Sequence, residues 1–147
     1  MNTDATPPLP SLDFSRAKSA LSDVMTRVVH EHRPSVVSRH RGKERMLLVG
    51  TDDLDRYLGA FRFELEVVTS AGEVTAAIPK LGVLGFGSTI DAAVEDLLVE
   101  LRSYARDYFE RASFYAATDR ADHAPWLLRF ALTAPEEQRA LVHESAA

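Results

Sequence analysis

The apolar residues of this chain change their spacing along the sequence, and that change limits the possible folds more than any other feature. Residues 15–31 place apolar side chains every three or four positions, which predicts an amphipathic helix capped by Ser15. Residues 61–68 alternate between apolar and polar side chains, which is typical of a half-buried strand. Residues 89–109 return to the helical spacing. The mixture excludes an all-helical or all-β chain and predicts an α+β fold.

The first 60 residues predict a small unit of their own. Pro34 ends the first helix. Two β-rich runs, 35–38 and 46–49, then flank a polar loop that contains Gly42, which predicts a hairpin. A short helix over residues 51–58 completes the unit.

The next region predicts two strands and a long helix. The alternating strand 61–68 turns at residues 70–73 into a second strand, 74–79, and the glycine-containing stretch 80–88 reads as a connecting loop. A helix then starts at Thr89, and one of its faces is apolar. That face consists of Ile90, Ala93, Val94, Leu97, Leu98 and Leu101.

Two patterns in this region superficially resemble ligand sites. Residues 82–87 (GVLGFG) are rich in glycine, but their spacing fits neither a dinucleotide site nor a P-loop. Four carboxylates of the long helix fall opposite its apolar face, which indicates a solvated surface rather than a metal site. They are Asp91, Glu95, Asp96 and Glu100. We therefore expect neither a metal nor a cofactor.

The residue types of the chain also argue against an enzyme. It has no cysteine, which removes disulfides, thiolate metal sites and thiol nucleophiles. Its histidines lack paired-ligand spacing, and no serine lies in a GxSxG motif. No apolar run approaches the roughly 18 residues of a membrane span, and the first ten residues lack signal-peptide features. We predict a cytoplasmic protein without catalytic activity.

Positive charge is concentrated in one short segment. Residues 1–60 contain nine Lys and Arg against eight Asp and Glu, whereas residues 61–147 contain eight against fourteen. Within residues 39–45, four side chains are basic and only Glu44 is acidic. This density is typical of a loop that contacts phosphate groups, and an ordinary charged hairpin tip accounts for it equally well.

The last part of the chain is helical and strongly apolar. Residues 125–132 (PWLLRFAL) are apolar on nearly every side of a helix, so they are either buried in the core or covered by a partner. The pattern supports both interpretations equally. The residues in question are Trp126, Leu127, Leu128, Phe130 and Leu132. A capping box at Thr133 starts a further short helix that ends near His143.

Residues 12–58 contain a distinctive order of features. These are a short strand at 12–14, a helix opened by SRAK (15–18), Pro34, the runs VVSR and MLLV around a basic turn, and TDDLDRYL (51–58). The order resembles the Phd/YefM, or prevent-host-death, class of antitoxins. The resemblance implies an N-terminal unit that dimerises and binds operator DNA, with contacts from Lys18 and Arg39.

Residues 61–112 contain a second set of features. These are two alternating strands, Ile78-Pro79 before a glycine-containing loop, and Gly87-Ser88-Thr89 before a long helix. The set resembles the HicB-like antitoxin fold, which is similar to a ribonuclease H core that lacks its catalytic acids. The resemblance implies that this half binds a toxin or mediates oligomerisation.

Together these observations predict four segments. Residues 1–11 are expected to be a disordered arm and residues 12–59 a Phd/YefM-like domain for DNA binding and dimerisation. Residues 60–113 are expected to form a HicB-like domain, and residues 114–147 a helical tail that binds the toxin.

We predict an antitoxin of a type II toxin–antitoxin system that neutralises a cognate toxin and represses its own operon. Its expected partners are a toxin protein that is a small ribonuclease, operator DNA, and a second copy in a homodimer or higher oligomer, with no membrane. The expected DNA-binding residues are Arg16, Lys18, Arg39, Arg41, Lys43 and Arg45. The alternative is a dimeric protein–protein adaptor without DNA binding. An active hydrolase ranks third, and it would require divalent-metal binding.

Overall fold

The computed structural model describes residues 6–144, which form the mixed α+β fold that the sequence predicts. The chain divides into two compact units: unit 1 ends at Arg56 and unit 2 begins at Tyr57. Each unit contains a three-stranded sheet. No helix in the described range combines the length and the apolar character needed to cross a membrane.

Unit 1 combines one sheet with three helices. In chain order these elements are β1 (Ser11–Asp13), α1 (Phe14–Ser19), α2 (Leu21–His30), β2 (Ser35–Arg39), β3 (Glu44–Leu48) and α3 (Thr51–Tyr57). Strand β2 lies in the middle, parallel to β1 and antiparallel to β3. Residues 1–5 of the expected arm lie outside the described residues. Ser11, its last residue, belongs to β1, because the Pro10 carbonyl accepts a hydrogen bond from the Val36 amide at 2.8 Å.

The single helix expected over residues 15–31 is two helices. Asp13 caps the first instead of Ser15, and its carboxylate accepts a hydrogen bond from the Ser15 amide at 3.1 Å. The break falls at Ala20, whose backbone leaves the helical region (φ −119°, ψ 30°). Next to the break, the Ser19 hydroxyl donates to the Arg16 carbonyl at 3.1 Å, and such local bonds compete with helical ones.

Unit 1 has a small core with a buried charge at its margin. Its buried apolar residues, within the described range, are Ala17, Val24, Val28 and Val37. The Asp53 carboxylate at the start of α3 is also buried, and it lies 3.0 Å from His32 Nδ1 and 3.0 Å from an Arg56 guanidinium nitrogen. A buried carboxylate needs such partners. The contact with His32 connects the segment after α2 to α3, and the contact with Arg56 lies within α3.

Unit 2 is a sheet covered on one face by helices. Its elements are β4 (Glu66–Ser70), β5 (Glu73–Ile78), β6 (Val83–Gly87), α4 (Ile90–Glu110), α5 (Ala112–Ala116), α6 (Ala124–Leu132) and α7 (Gln138–Glu144). The sheet is antiparallel in the order β4-β5-β6. Helix α4 packs on β5 and β6, and α6 and α7 pack on α4. The core is continuous from Phe63 to Val142.

The alternating segment 61–68 is a strand only from Glu66 onward. Before that point two of its backbone carbonyls accept hydrogen bonds from side chains of α6. The Arg62 carbonyl accepts from the Trp126 indole N–H at 2.9 Å, and the Phe61 carbonyl accepts from Arg129 at 3.0 Å. Phe63 is nevertheless fully buried. The alternation therefore predicted the burial of Phe63 correctly, whereas Val67 and Val68 are exposed and the strand begins five residues later than predicted.

The stretch 80–88, expected to be a loop, contains strand β6. Its glycines are required by the approach of α4. A Cβ atom on Gly85 would lie 2.2 Å from the Leu97 nitrogen and 2.4 Å from the Ala93 carbonyl oxygen. A Cβ on Gly87 would lie 2.7 Å from the Ala93 nitrogen. The glycines thus permit helix-to-strand contact at backbone distance.

Gly85→Ala should destabilise unit 2 strongly, because the new methyl group would collide with backbone atoms of α4. We expect a loss of about 3 kcal/mol or more, at the upper end for overpacked cores. Leu84→Ala, a change at an exposed neighbour in the same strand, should cost less than about 1 kcal/mol. Urea unfolding followed by the fluorescence of the single tryptophan, Trp126, measures both. Equal unfolding midpoints for wild type and Gly85→Ala would contradict the close packing.

Candidate functional site

The basic segment 39–45 forms the tip of the β2–β3 hairpin. Arg39 and Glu44 are the last pair of the ladder, so residues 40–43 make the turn. His40, Arg41 and Gly42 all have positive φ, and the Lys43 amide donates to the His40 carbonyl at 3.2 Å. All seven residues are exposed. The turn therefore presents its side chains to solvent.

Arg39 is engaged by the one acidic residue of the segment. Its Nε and Nη2 donate to the two carboxylate oxygens of Glu44, each at 3.0 Å. One of these oxygens also lies 3.1 Å from Nε2 of His40. The hydrogen bonds from Arg39 lower the pKa of Glu44, and in return Glu44 raises the pKa of Arg39. Glu44 thus offsets the charge of a residue that the family resemblance assigns to DNA contact.

The other basic residues of the segment are exposed and unpaired. The side chains of Arg41, Lys43 and Arg45 make no hydrogen bond or ion pair with any residue in the described range. Their charge is therefore available to an anionic ligand.

Helix α1 starts at the same end of unit 1 as the hairpin turn. Strand β1 runs parallel to β2 and pairs Asp13 with Ser38, so the residue after β1 lies beside the residue after Ser38. Phe14 and Arg39 accordingly line one open pocket of about 310 Å³. Arg16 and Lys18 follow on α1 and are exposed. The fold thus brings the start of α1 and the basic turn to one end of the sheet.

The apolar stripe of residues 15–31 separates into a buried and an exposed set. Val24 and Val28 are buried, whereas Leu21, Met25 and Val29 are 57%, 64% and 40% exposed. The exposed three follow one another every four residues on one side of α2. Met46 and Leu47 of β3 are also more than half exposed. The sequence pattern identified the stripe but did not separate its two sides.

The predicted toxin-binding residues of α6 are divided between core and surface. Leu127 and Phe130 are fully buried in unit 2, where Phe130 packs against Phe63. A partner cannot reach these two side chains in this conformation. Leu128 is half-buried and Leu132 is 36% exposed.

Trp126 is half-buried and held by contacts within unit 2. Its indole N–H donates to the Arg62 carbonyl, its ring meets the ring of Phe61 edge to face at 5.0 Å, and the Lys80 ammonium lies 4.9 Å from the ring centroid. The one aromatic ring among the predicted toxin-binding residues that is only half-buried therefore already has intramolecular contacts.

A polar pair is buried between α4 and the turn before α6. The Tyr104 hydroxyl lies 2.7 Å from Nδ1 of His123. Burial lowers the pKa of His123 and raises the pKa of Tyr104, so both side chains are favoured in their neutral forms. A hydrogen bond therefore joins two neutral groups. We interpret the pair as a satisfied buried contact.

Three of the four carboxylates singled out on α4 have structural partners. Arg139 of α7 binds Asp91 and Glu95, and Asp96 accepts a hydrogen bond from the Phe86 amide at 2.8 Å. The residues that the structure describes contain no group of three or more potential ligands placed to hold a metal ion. The helix face expected to be merely solvated therefore joins α4 to α7 and to β6.

Comparison with known proteins identifies the class of this molecule. A family model described as "PHD-like: antitoxin of toxin-antitoxin, RelE / RelB, TA system" matches residues 9–143. A crystal structure assigned as the antitoxin part of a toxin/antitoxin system from Syntrophomonas wolfei subsp. wolfei has the same fold, with a TM-score of 0.77. The likeness covers 90% of this chain and 96% of that chain at 18% sequence identity. A search of curated protein sequences found no match.

The chain therefore belongs to the PHD-like antitoxin family. It is an antitoxin of a toxin–antitoxin system, which implies a cognate toxin as partner. Proteins of this family and fold are typically not enzymes.

Phe130→Ala should destabilise unit 2 by about 3–5 kcal/mol, since it removes a fully buried ring from the core. Leu132→Ala, two residues later on the same helix, should cost less than about 1 kcal/mol because Leu132 is exposed. Chemical unfolding followed by circular dichroism distinguishes them. Similar small effects at both positions would show that α6 is not part of the core.

Proposed function

We propose that this antitoxin neutralises its toxin through unit 2 and represses its own operon by binding operator DNA through a dimer of unit 1. The observation that carries the proposal is the exposed cationic hairpin tip of unit 1 in a member of an antitoxin family. Arg41, Lys43 and Arg45 supply the phosphate contacts, supported by Arg16 and Lys18 at the start of α1. Arg39 adds a further contact when its hydrogen bonds to Glu44 are broken.

The proposed domains are a Phd/YefM-like domain over residues 12–59 and a HicB-like domain over residues 60–113. The end of unit 1 at Arg56 supports the boundary between them. The order of three antiparallel strands followed by a long helix supports the second assignment. Residues 114–147, proposed as a toxin-binding tail, supply Leu127, Phe130 and Val142 to the core around α4, so we include them in unit 2.

The distribution of charge supports the assignment of DNA binding to unit 1 and of toxin binding to unit 2. Unit 1 contains nine basic and eight acidic residues, whereas unit 2 contains eight and fourteen. An acidic unit repels DNA and attracts a cationic protein. If the toxin is a small ribonuclease, it needs a cationic surface to bind RNA phosphates. Both partners would place the antitoxin in the cytoplasm.

The second candidate function is a dimeric adaptor that binds no DNA. The observation that favours it is the Glu44 carboxylate, which binds Arg39 and lies beside His40. This contact reduces the positive charge of the tip at the position of the expected operator contact. DNA binding by the intact protein decides between the two functions.

DNA binding should depend steeply on salt. If each protomer neutralises about three to five phosphates, the slope of log K against log salt should lie between about −5 and −9. Lys43→Ala should weaken binding to every sequence and reduce the slope by about 2, because a dimer loses two phosphate contacts. Arg39→Ala should also reduce the preference for operator over random DNA by about tenfold, if Arg39 reaches a base edge.

Fluorescence anisotropy with promoter and random duplexes at several salt concentrations measures these effects. Glu44→Gln is the control, since it frees Arg39 without adding a residue to the tip. It should strengthen binding to both duplexes. A wild-type protein without operator preference at about 50 mM salt, with its toxin present, would favour the adaptor function.

The exposed apolar residues of unit 1 support dimerisation. A unit of fewer than 60 residues buries too little apolar surface to be strongly stable alone. Leu21, Met25 and Val29 form a continuous exposed row on α2, and Met46 and Leu47 add apolar surface on β3. We propose that a second copy covers these side chains. The operator would then contain two related half-sites.

Met25→Asp should shift the dimer toward monomer at micromolar concentration, because it buries an unpaired carboxylate in the interface. Ser22→Asp adds the same charge at another position of α2 and should leave the dimer intact. Sedimentation velocity gives the oligomeric state, and circular dichroism confirms that both variants are folded. A Met25→Asp variant that stays fully dimeric would place the dimer interface elsewhere.

A further inference from the structure

Within unit 2, one face of the sheet is not covered by any helix among the described residues. Helix α4 packs against one face, where Val74, Ala76 and Ile78 of β5 are buried. The residues that alternate with these along β5, together with their cross-strand partners, point to the other face. Cross-strand pairing arranges them in two rows, Val68–Thr75–Phe86 and Glu66–Ala77–Leu84.

This open face is apolar at its centre. Val68, Leu84 and Phe86 are 60%, 48% and 50% exposed, and Thr75 and Ala77 lie between them. Leu84 and Phe86 occupy β6, the strand whose glycines face α4. On its inner side this strand carries Val83 and the two glycines, whereas its two bulkiest side chains, Leu84 and Phe86, lie on the outer side. A contiguous exposed patch of this kind is typical of an interaction surface.

The charged side chains on the strand surface are negative, and Arg62 and Lys80 line a groove beside Glu66. Glu66 and Glu73 lie on the face itself, which carries no lysine or arginine among the described strand residues. Along the edge of β6 runs a groove of about 340 Å³, lined by Asp96, Glu100 and Arg120 among others. The Arg120 guanidinium lies 5.3 Å from the centroid of the Tyr104 ring. The surroundings therefore favour a cationic partner.

The edge of β6 is less suited to binding than the face. The Phe86 amide points away from β5 and donates to the Asp96 carboxylate at 2.8 Å. A strand added to this edge would have to displace Asp96 from that bond. A partner that docks on the face by its side chains leaves the bond intact.

A second copy of the chain would also fit this face poorly. Two copies of the face would bring Glu66 and Glu73 near the same residues of the other copy, without a cation on either strand surface to offset them. Like charges brought together in this way oppose association. A protein surface with an apolar centre and a rim of lysine and arginine has the complementary chemistry.

We infer that the open face of β4, β5 and β6 binds the cognate toxin, centred on Leu84 and Phe86. This inference rests on the proposed function and assigns the toxin contact to the sheet, away from α6. The buried positions of Leu127 and Phe130 agree with it, because they leave α6 with little apolar surface to offer.

The test uses the full-length antitoxin and a catalytically inactive form of the toxin encoded beside it, with affinity measured by calorimetry. Leu84→Arg/Phe86→Arg should weaken the complex by about a hundredfold or more, because it removes two apolar anchors and adds repulsive charge. The matched control is Ile90→Arg/Val99→Arg, which changes two equally exposed apolar residues of α4. It should change affinity by less than about threefold.

Two further variants extend the test: one measures the contribution of charge, and the other is a second change to the apolar centre of the face. Glu66→Gln/Glu73→Gln should slow association and weaken its dependence on salt, since it removes charges from the rim. Thr75→Arg, at the centre of the face, replaces the double arginine variant if that protein does not fold. Circular dichroism and DNA binding confirm that each variant retains both units.

The outcomes are distinguishable. Loss of toxin affinity confined to the face variants supports the inference. If Leu132→Arg abolishes binding and the face variants do not, α6 is the contact and the inference is overturned. It is also overturned if the face variants change only the oligomeric state, because the occupant would then be a second copy. A wild-type protein with no toxin affinity would refute the proposed function itself.

Discussion

The structure of unit 2 depends on how closely α4 approaches β6. At Gly85 and Gly87 the helix backbone occupies the space of the missing side chains, so the helix lies directly on the strand. This contact fixes the side of β6 that is covered. Leu84 and Phe86 must then point outward, and the open face of the sheet follows from the position of the glycines. One packing constraint thus determines both the core and the surface of this unit.

Unit 1 is organised in a different way. Its core is small, and a buried Asp53 with its partners His32 and Arg56 connects its helices where apolar packing is limited. The remaining apolar side chains of α2 and β3 stay on the surface. If a second copy covers these side chains, as we propose, the stability of the unit would be coupled to its association, since the interface would supply burial that the monomer lacks.

The sequence predicted the parts of the fold that depend on local periodicity. The helical spacing located α4, and the α+β class followed from the change in period. It did not predict β6, because the glycines of that strand resemble a loop until the position of α4 is known. It also could not divide residues 125–132 between core and surface. A helix that is apolar on nearly every side does not indicate which of its faces is buried. The basic tip was visible as a charge cluster, but the Arg39–Glu44 contact required the register of the hairpin.

The hydrogen bonds from Trp126 to Arg62 and from Arg129 to Phe61 join segments more than 60 residues apart. The core they close extends to Leu141 and Val142. During synthesis, unit 2 therefore cannot complete its core until the residues up to Val142 have left the ribosome. Unit 1 contains its sheet and helices within the first 57 residues, and domains generally fold as units in order of synthesis. All residues of the half with the cationic tip are consequently available for folding before those of the acidic half.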